Sequence, residues 1–165
     1  MAAKIIFFYF CDLKNRDMKK ALFSLLMLLP LLFTGCKEPL VNPNYPTGII
    51  DFTIDLNRPI YYDLRIVSGF MYLTANAEST SRGVIVYRLS QEEFRAYDRM
   101  PPNNPDCRDE NGEITRLYVD FPFVMDDCND IKYNIINGEL FEGEGIFPLI
   151  QYHTTFDGVQ LRVFN

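Results

Sequence analysis

Residues 82–99 read "RGVIVYRLSQEEFRAYDR", and this stretch decides the fold class. Its first half, "GVIVYRL" (83–89), is a nearly continuous apolar run rich in β-branched residues, which predicts a central β-strand. Its second half opens with Ser90 and has Glu93 three residues later. That spacing is typical of a capping box, so "SQEEFRAY" predicts a short helix after the strand.

The segments before this stretch also have the character of strands. Apolar residues at every second position of 50–56 alternate with Asp and Thr, the pattern of a half-buried strand. Residues 63–75, "DLRIVSGFMYLTA", predict two further short β-runs separated at Ser68-Gly69. No sustained helical periodicity interrupts them.

Three dipeptides in the second half predict hairpin turns, because Asn-Gly and Asp-Gly readily adopt the positive φ angles of tight turns. Asn111-Gly112 precedes "EITRLYVDF", Asn137-Gly138 separates "IKYNII" from "ELF", and Asp157-Gly158 separates "LIQYHTTF" from "VQLRVF". The chain is therefore predicted to be all-β, an antiparallel β-sandwich or small barrel over residues 49–165.

The N-terminal segment predicts export. Residues 18–36, "MKKALFSLLMLLPLLFTGC", have a basic start and an apolar run too short to span a bilayer comfortably. The ending "FTGC" resembles the lipobox of bacterial lipoproteins, which implies cleavage after residue 35 and lipid attachment at Cys36. Residues 1–17 then read as a mis-annotated start, and the proline-rich residues 36–48 read as a lipidated tether. The expected location is the bacterial cell envelope, at the outer membrane on its periplasmic or surface face.

Charge excludes one class of partner. Residues 1–36 hold five of the 16 basic and two of the 22 acidic side chains, so residues 37–165 carry a net charge of −9. Such an acidic domain is a poor candidate for binding nucleic acid, whose phosphates repel it. The membrane, reached through the lipid, and an unidentified envelope protein are the expected partners.

Two cysteines remain beyond the leader, Cys107 and Cys128, and an oxidising compartment favours a disulfide between them.

The stretch 82–99, followed by two turn-rich loops, resembles Rieske-type iron–sulfur domains, and so does the C-terminal end of the chain. An aromatic residue, a turn glycine, another glycine, a Pro-Leu pair, a tyrosine and a final hairpin follow in the order of that family: Tyr133, Gly138, Gly143, Pro148-Leu149, Tyr152 and Asp157-Gly158.

The resemblance implies a cluster-binding-like subdomain that has lost its cluster. A Rieske centre needs two cysteine and two histidine ligands. The family pattern places those ligand positions at Pro101, Asn103, Asp126 and Asn129, and the only histidine of the chain is His153, in a predicted strand. In some family members an extra cysteine in each cluster loop forms a bond that clamps the loops together, which is the role implied here for Cys107 and Cys128.

These features predict no catalytic residues, no metal and no cofactor. The expected function is that of an envelope-anchored, Rieske-like lipoprotein acting as a non-catalytic binding or structural module. One alternative is an electron-transfer protein with a [2Fe–2S] cluster on Cys107, Cys128 and aspartates. Another is an unrelated β-sandwich lipoprotein of the cell surface that binds carbohydrate or protein. The acids of the two loops are a weaker candidate for Ca²⁺ ligands.

Overall fold

The computed structural model describes residues 40–46, 48–74 and 81–165. The described residues form one 3₁₀ helix, Pro59–Arg65, and ten strands: β1 (Asp51–Asp55), β2 (Phe70–Leu73), β3 (Val84–Arg88), β4 (Phe94–Asp98), β5 (Tyr118–Asp120), β6 (Phe123–Asp126), β7 (Ile131–Asn134), β8 (Leu140–Glu142), β9 (Gln151–Phe156) and β10 (Gln160–Phe164). All strand pairs are antiparallel, which confirms the all-β prediction.

The predicted leader, signal peptide and lipidated Cys36 lie outside the described residues. Within the part of the chain that the structure describes, no helix has the length and apolar character needed to cross a membrane.

The strands form two sheets. The larger has the order β1-β10-β9-β4-β3-β2 and curls like half of a barrel, and the smaller has the order β5-β6-β7-β8. Strand β3 lies inside the larger sheet, and all five of its residues are buried. Val84 and Val86 pack into a core on one side of the sheet, and Ile85 and Tyr87 pack into a second core on the other side. Burial on both faces explains why this strand is a continuous apolar run rather than an alternating one.

The second core is where the two sheets meet. Tyr97 of the larger sheet packs there with Val124 and Tyr133 of the smaller one, and all three side chains are fully buried. The smaller sheet therefore lies on one face of β3 and β4. This packing fixes the position of the loops that leave β4 and β6.

Two of the predicted hairpins are confirmed. Asn137-Gly138 joins β7 to β8, and Asp157-Gly158 joins β9 to β10, with positive φ at both glycines. A side chain at Gly138 would lie 2.9 Å from the buried ring of Tyr97, so this position also needs glycine for space. Asn111-Gly112 closes only the single bridge between Arg108 and Ile114, and the strand predicted after it begins later, at β5.

The predicted helix after β3 is wrong, because residues 94–98 form strand β4. Ser90 Oγ does accept the Glu93 N–H at 3.1 Å, as a capping box requires. The chain nevertheless turns back, since the Leu89 N–H donates to Glu93 O at 2.8 Å and closes a hairpin. Phe94 and Ala96 are buried in the first core at a spacing of two residues, and this packing outweighs the local capping signal.

The first of the two β-runs predicted in residues 63–75 is also wrong. Asp63, Leu64 and Arg65 belong to the 3₁₀ helix, which starts at Pro59 and places the fully buried Leu64 in the first core. Proline suits the first position of a helix because its missing N–H would have no partner there. The second run is confirmed as β2.

The predicted tether extends too far along the chain. Asn42 and Tyr45 are each 8% exposed. The Asn42 side-chain amide donates to Pro102 O at 2.9 Å, and the Tyr45 hydroxyl donates to Met100 O at 3.4 Å. These residues belong to the packed domain, because an aromatic ring at residue 45 covers the loop after β4.

Candidate functional site

A disulfide joins the two turn-rich loops that the sequence singles out. Cys107 follows β4 and Cys128 follows β6, and their Cα atoms lie 6.3 Å apart. The predicted Cys107–Cys128 bond is therefore confirmed. It closes a loop of 21 residues and ties the larger sheet to the smaller one through their connecting segments.

Asn103 is the hydrogen-bonding centre of the same region. Its amide nitrogen donates to the Tyr133 hydroxyl at 2.8 Å and to Phe147 O at 3.1 Å. Its amide oxygen accepts the backbone N–H groups of Ile146 at 2.9 Å and of Phe147 at 3.1 Å. Both atoms of the amide are thus engaged by groups 30 to 44 residues away.

We call this region the loop junction, defined as residues 101–105, 126–130 and 143–147. Residues 143–147 can pack against Ile131 and Asn103 because residue 145 is glycine. A side chain at this position would lie 2.7 Å from Ile131 Cδ1 and 3.0 Å from Asn103 Nδ2. The sequence pointed to the first two segments but gave no indication that the third joins them.

Asp126 and Asn129 bind each other within the second loop. Asp126 Oδ2 accepts the Asn129 side-chain amide at 2.8 Å, and Asp126 Oδ1 accepts the Cys128 N–H at 3.1 Å. The Asp126 residue is 3% exposed. Burial raises the pKa of its carboxyl above the usual value, while the hydrogen bonds from Asn129 and Cys128 act in the opposite direction.

This raised pKa predicts a pH dependence of stability. Between the usual value of 3.8 and the higher folded-state pKa, the folded protein binds more protons at Asp126 than the unfolded chain does. The contribution of Asp126 to the free energy of unfolding therefore falls as pH rises through that window. We expect Asp126→Asn to remove this slope, so that the difference in unfolding free energy, wild type minus variant, decreases with rising pH. Urea titrations at several pH values measure it, and a difference that increases with pH would contradict it.

Arg82 binds backbone carbonyl groups of the first loop, and the sequence did not predict this role. Its guanidinium donates to the carbonyl oxygens of Pro105, of Thr115 at 2.9 Å and of Cys107 at 3.4 Å. Burial lowers the pKa of this guanidinium. Nothing local marks the role of Arg82, because its carbonyl partners lie 23 to 33 residues further along the chain.

A buried carboxylate holds the start of the first loop. Asp98, 2% exposed, accepts the Tyr152 hydroxyl at 2.6 Å, the Ser81 hydroxyl at 2.9 Å and the Met100 N–H at 2.9 Å. Burial, followed by the charge of Asp98, raises the pKa of Tyr152 far above its usual range. This cluster fixes the direction in which the chain leaves β4.

The bond between Tyr152 and Asp98 predicts a measurable loss of stability on Tyr152→Phe. A hydrogen bond to a charged group contributes about 2 kcal/mol, and the substitution leaves the buried Asp98 short of one donor. Tyr118→Phe is the matched control, because its hydroxyl bonds to Asp127 at an exposed position. We expect the control to change the free energy of unfolding by less than about 0.5 kcal/mol in chemical denaturation. Equal effects of the two variants would contradict the prediction.

The residues at the ligand positions implied by the Rieske resemblance do not fit an iron–sulfur cluster. Pro101 is buried and has no side-chain donor atom, the Asn103 amide is fully engaged, and Asp126 and Asn129 bond to each other. His153 lies exposed on β9, with its ring 5.5 Å from that of Phe164. The two cysteine sulfurs are bonded to each other and are not thiolates, the form in which cysteine binds iron.

Two acids of these loops are engaged by hydrogen-bond donors of the protein. Asp109 Oδ1 accepts the N–H groups of Asn111 and Glu113, and Asp127 Oδ1 accepts the Tyr118 hydroxyl. Within residues 40–46, 48–74 and 81–165, no group of three or more His, Cys, Asp or Glu residues is arranged to hold a metal ion.

A scan against protein-family models and searches of curated proteins and of solved structures each found no match for this chain.

Proposed function

We propose that this chain is a lipid-anchored module of the bacterial cell envelope that binds or supports a protein partner without catalysis. In this proposal the domain derives from a Rieske-like ancestor and has replaced the cluster with hydrogen bonds and a disulfide. The engagement of Asn103 carries the proposal. Asn103 lies at an implied ligand position, but its side-chain amide makes four hydrogen bonds within the protein. Such an amide stabilises the conformation of the loops and is not free to bind a metal.

The surrounding contacts support the same proposal. Cys107–Cys128, the Asp126–Asn129 pair and Arg82 each hold one part of the loop junction. These contacts hold the shape of the loops without a metal ion. The acidic balance of residues 37–165 favours a partner that is not a nucleic acid.

Lipid attachment is tested by metabolic labelling of the full chain in a bacterial host. We expect an alkyne-bearing palmitate analogue to label wild type and Cys11→Ala, and to leave Cys36→Ala unlabelled. The Cys11 variant is the matched control because it also removes one cysteine of the N-terminal segment. Equal labelling of the Cys36 variant would overturn the proposed anchor.

Loss of the cluster is tested on the same purified protein. Iron–sulfur centres absorb visible light above about 400 nm through charge transfer from sulfur to iron. We expect no such band and no stoichiometric iron by elemental analysis, including after anaerobic purification. A band that bleaches on reduction and returns on reoxidation, together with two irons per chain, would instead support the electron-transfer alternative.

A further inference from the structure

Strand β2 forms one edge of the larger sheet and has a groove along it. It pairs with β3 on one side, and no other described strand pairs with it. The groove has a volume of about 570 Å³ and lies between β2 and the chain that leaves the 3₁₀ helix. The groove is lined by Asp63 and by residues 66–72.

The backbone of β2 offers hydrogen bonds to a further strand. The Arg88 N–H donates to Gly69 O at 2.9 Å, and Met71 lies opposite Val86 in the same register. Because antiparallel strands direct alternate residues to alternate sides, Phe70 and Tyr72 present their N–H and C=O groups to the free side. An exposed edge of this kind accepts an added strand.

The Tyr72 side chain forms part of the wall of the groove and is held in place by two contacts. The Arg99 guanidinium lies 4.1 Å from the centre of the Tyr72 ring, and the Tyr72 hydroxyl accepts the Val119 N–H at 2.8 Å. Tyr72 is nevertheless 41% exposed. Ile66 and Val67 are also exposed, at 52% and 39%. A ligand therefore meets apolar surface that is already held in place.

The charge of the groove indicates what kind of strand it takes. Asp63 is the only charged residue among those that line the groove. Among the described residues no basic side chain forms an ion pair with it, and the nearby Arg65 donates instead to Leu56 O and Asn57 O. A partner that brings a lysine or arginine would complete this site.

We infer that β2 is a docking edge for an extended segment of a partner protein that carries apolar residues at alternate positions and a basic residue opposite Asp63. This inference rests on the proposed binding role and identifies the surface that performs it. It requires neither the lipid nor the loss of a cluster, so its failure would leave the labelling and iron results unaffected.

The test is a selection from a displayed library of random twelve-residue peptides on the full-length protein. We expect the enriched peptides to alternate apolar and polar residues and to contain an excess of Lys or Arg. Ile66→Lys should weaken their binding at least tenfold by placing a like charge in the groove. Ile60→Lys, at a 66% exposed position of the 3₁₀ helix outside the groove, is the matched control and should change binding less than twofold.

Two further measurements separate the parts of the inference. Asp63→Asn should weaken binding about two- to fivefold, as expected for loss of an exposed ion pair, and high salt should reduce that difference. N-methylation of alternate amides of the best peptide should abolish binding in one register and spare it in the other.

Enriched peptides without a basic excess, equal effects of the two isoleucine variants, or binding that tolerates N-methylation in both registers would overturn the inference. A concentration-dependent dimer of the protein that Ile66→Lys abolishes would overturn it in favour of a second copy.

Discussion

Replacing Asn103 by alanine is expected to lower the free energy of unfolding by about 4 kcal/mol, because four hydrogen-bonding groups lose their partner together. The Tyr133 hydroxyl and Phe147 O lose their donor, and the N–H groups of Ile146 and Phe147 lose their acceptor. Tyr133 is fully buried, so water cannot readily replace the amide there. Each such group contributes about 1 kcal/mol, with a larger penalty where it is left unsatisfied in the interior.

Asn104→Ala is the natural control for this prediction. Asn104 is the neighbouring residue and has the same side chain, but it is exposed, and its described side-chain hydrogen bond is to Cys128 Sγ at 3.6 Å. We expect its replacement to cost less than about 0.5 kcal/mol, as is usual for surface substitutions. Urea denaturation followed by circular dichroism compares the two variants. Similar midpoints for both would show that Asn103 does not hold the loop junction.

The elements that the sequence predicts well are those fixed by local patterns. The buried run of β3 and the turns at Asn137-Gly138 and Asp157-Gly158 depend on residues within a few positions of one another. The segment after Ser90 shows the limit of such patterns. Its capping hydrogen bond forms, yet the burial of Phe94 makes the chain a strand. Local capping contributes only about 1 kcal/mol, while burying a large aromatic side chain contributes about 2 to 3 kcal/mol.

The candidate site also has features that the sequence predicts and features that it does not. The sequence indicated the disulfide, because two cysteines remained in a chain predicted to be exported. It could not indicate the roles of Arg82 and Asn103, whose partners are backbone atoms and a hydroxyl at separations of 23 to 44 residues. Backbone carbonyl groups occur in every residue, and N–H groups occur in every residue except proline, so these partners cannot be read from the sequence. Only the folded chain shows which of them these two side chains reach.

Removing the disulfide is expected to destabilise the protein by about 3 kcal/mol, since the bond closes a 21-residue loop and restricts the unfolded chain. We expect the Cys107→Ala, Cys128→Ala double variant and the wild type treated with a reducing phosphine to have the same unfolding midpoint. The reducing agent should not change the midpoint of the double variant, which serves as its own control. A midpoint equal to that of untreated wild type would contradict the prediction.

The disulfide and Asn103 hold the same segment, so their effects should not add. Cys107 lies four residues after Asn103, and both connect the first loop to parts of the chain that follow β5. Once the disulfide is removed, the first loop can open locally without unfolding the sheets, and the hydrogen bonds of Asn103 then contribute less to global stability. We expect Asn103→Ala to cost less in the double cysteine variant than in wild type, with a coupling of about 0.5 to 1.5 kcal/mol. Strict additivity in this double-mutant cycle would mean that the disulfide and the hydrogen bonds of Asn103 stabilise separate parts of the fold. The loop junction would then not be a single unit.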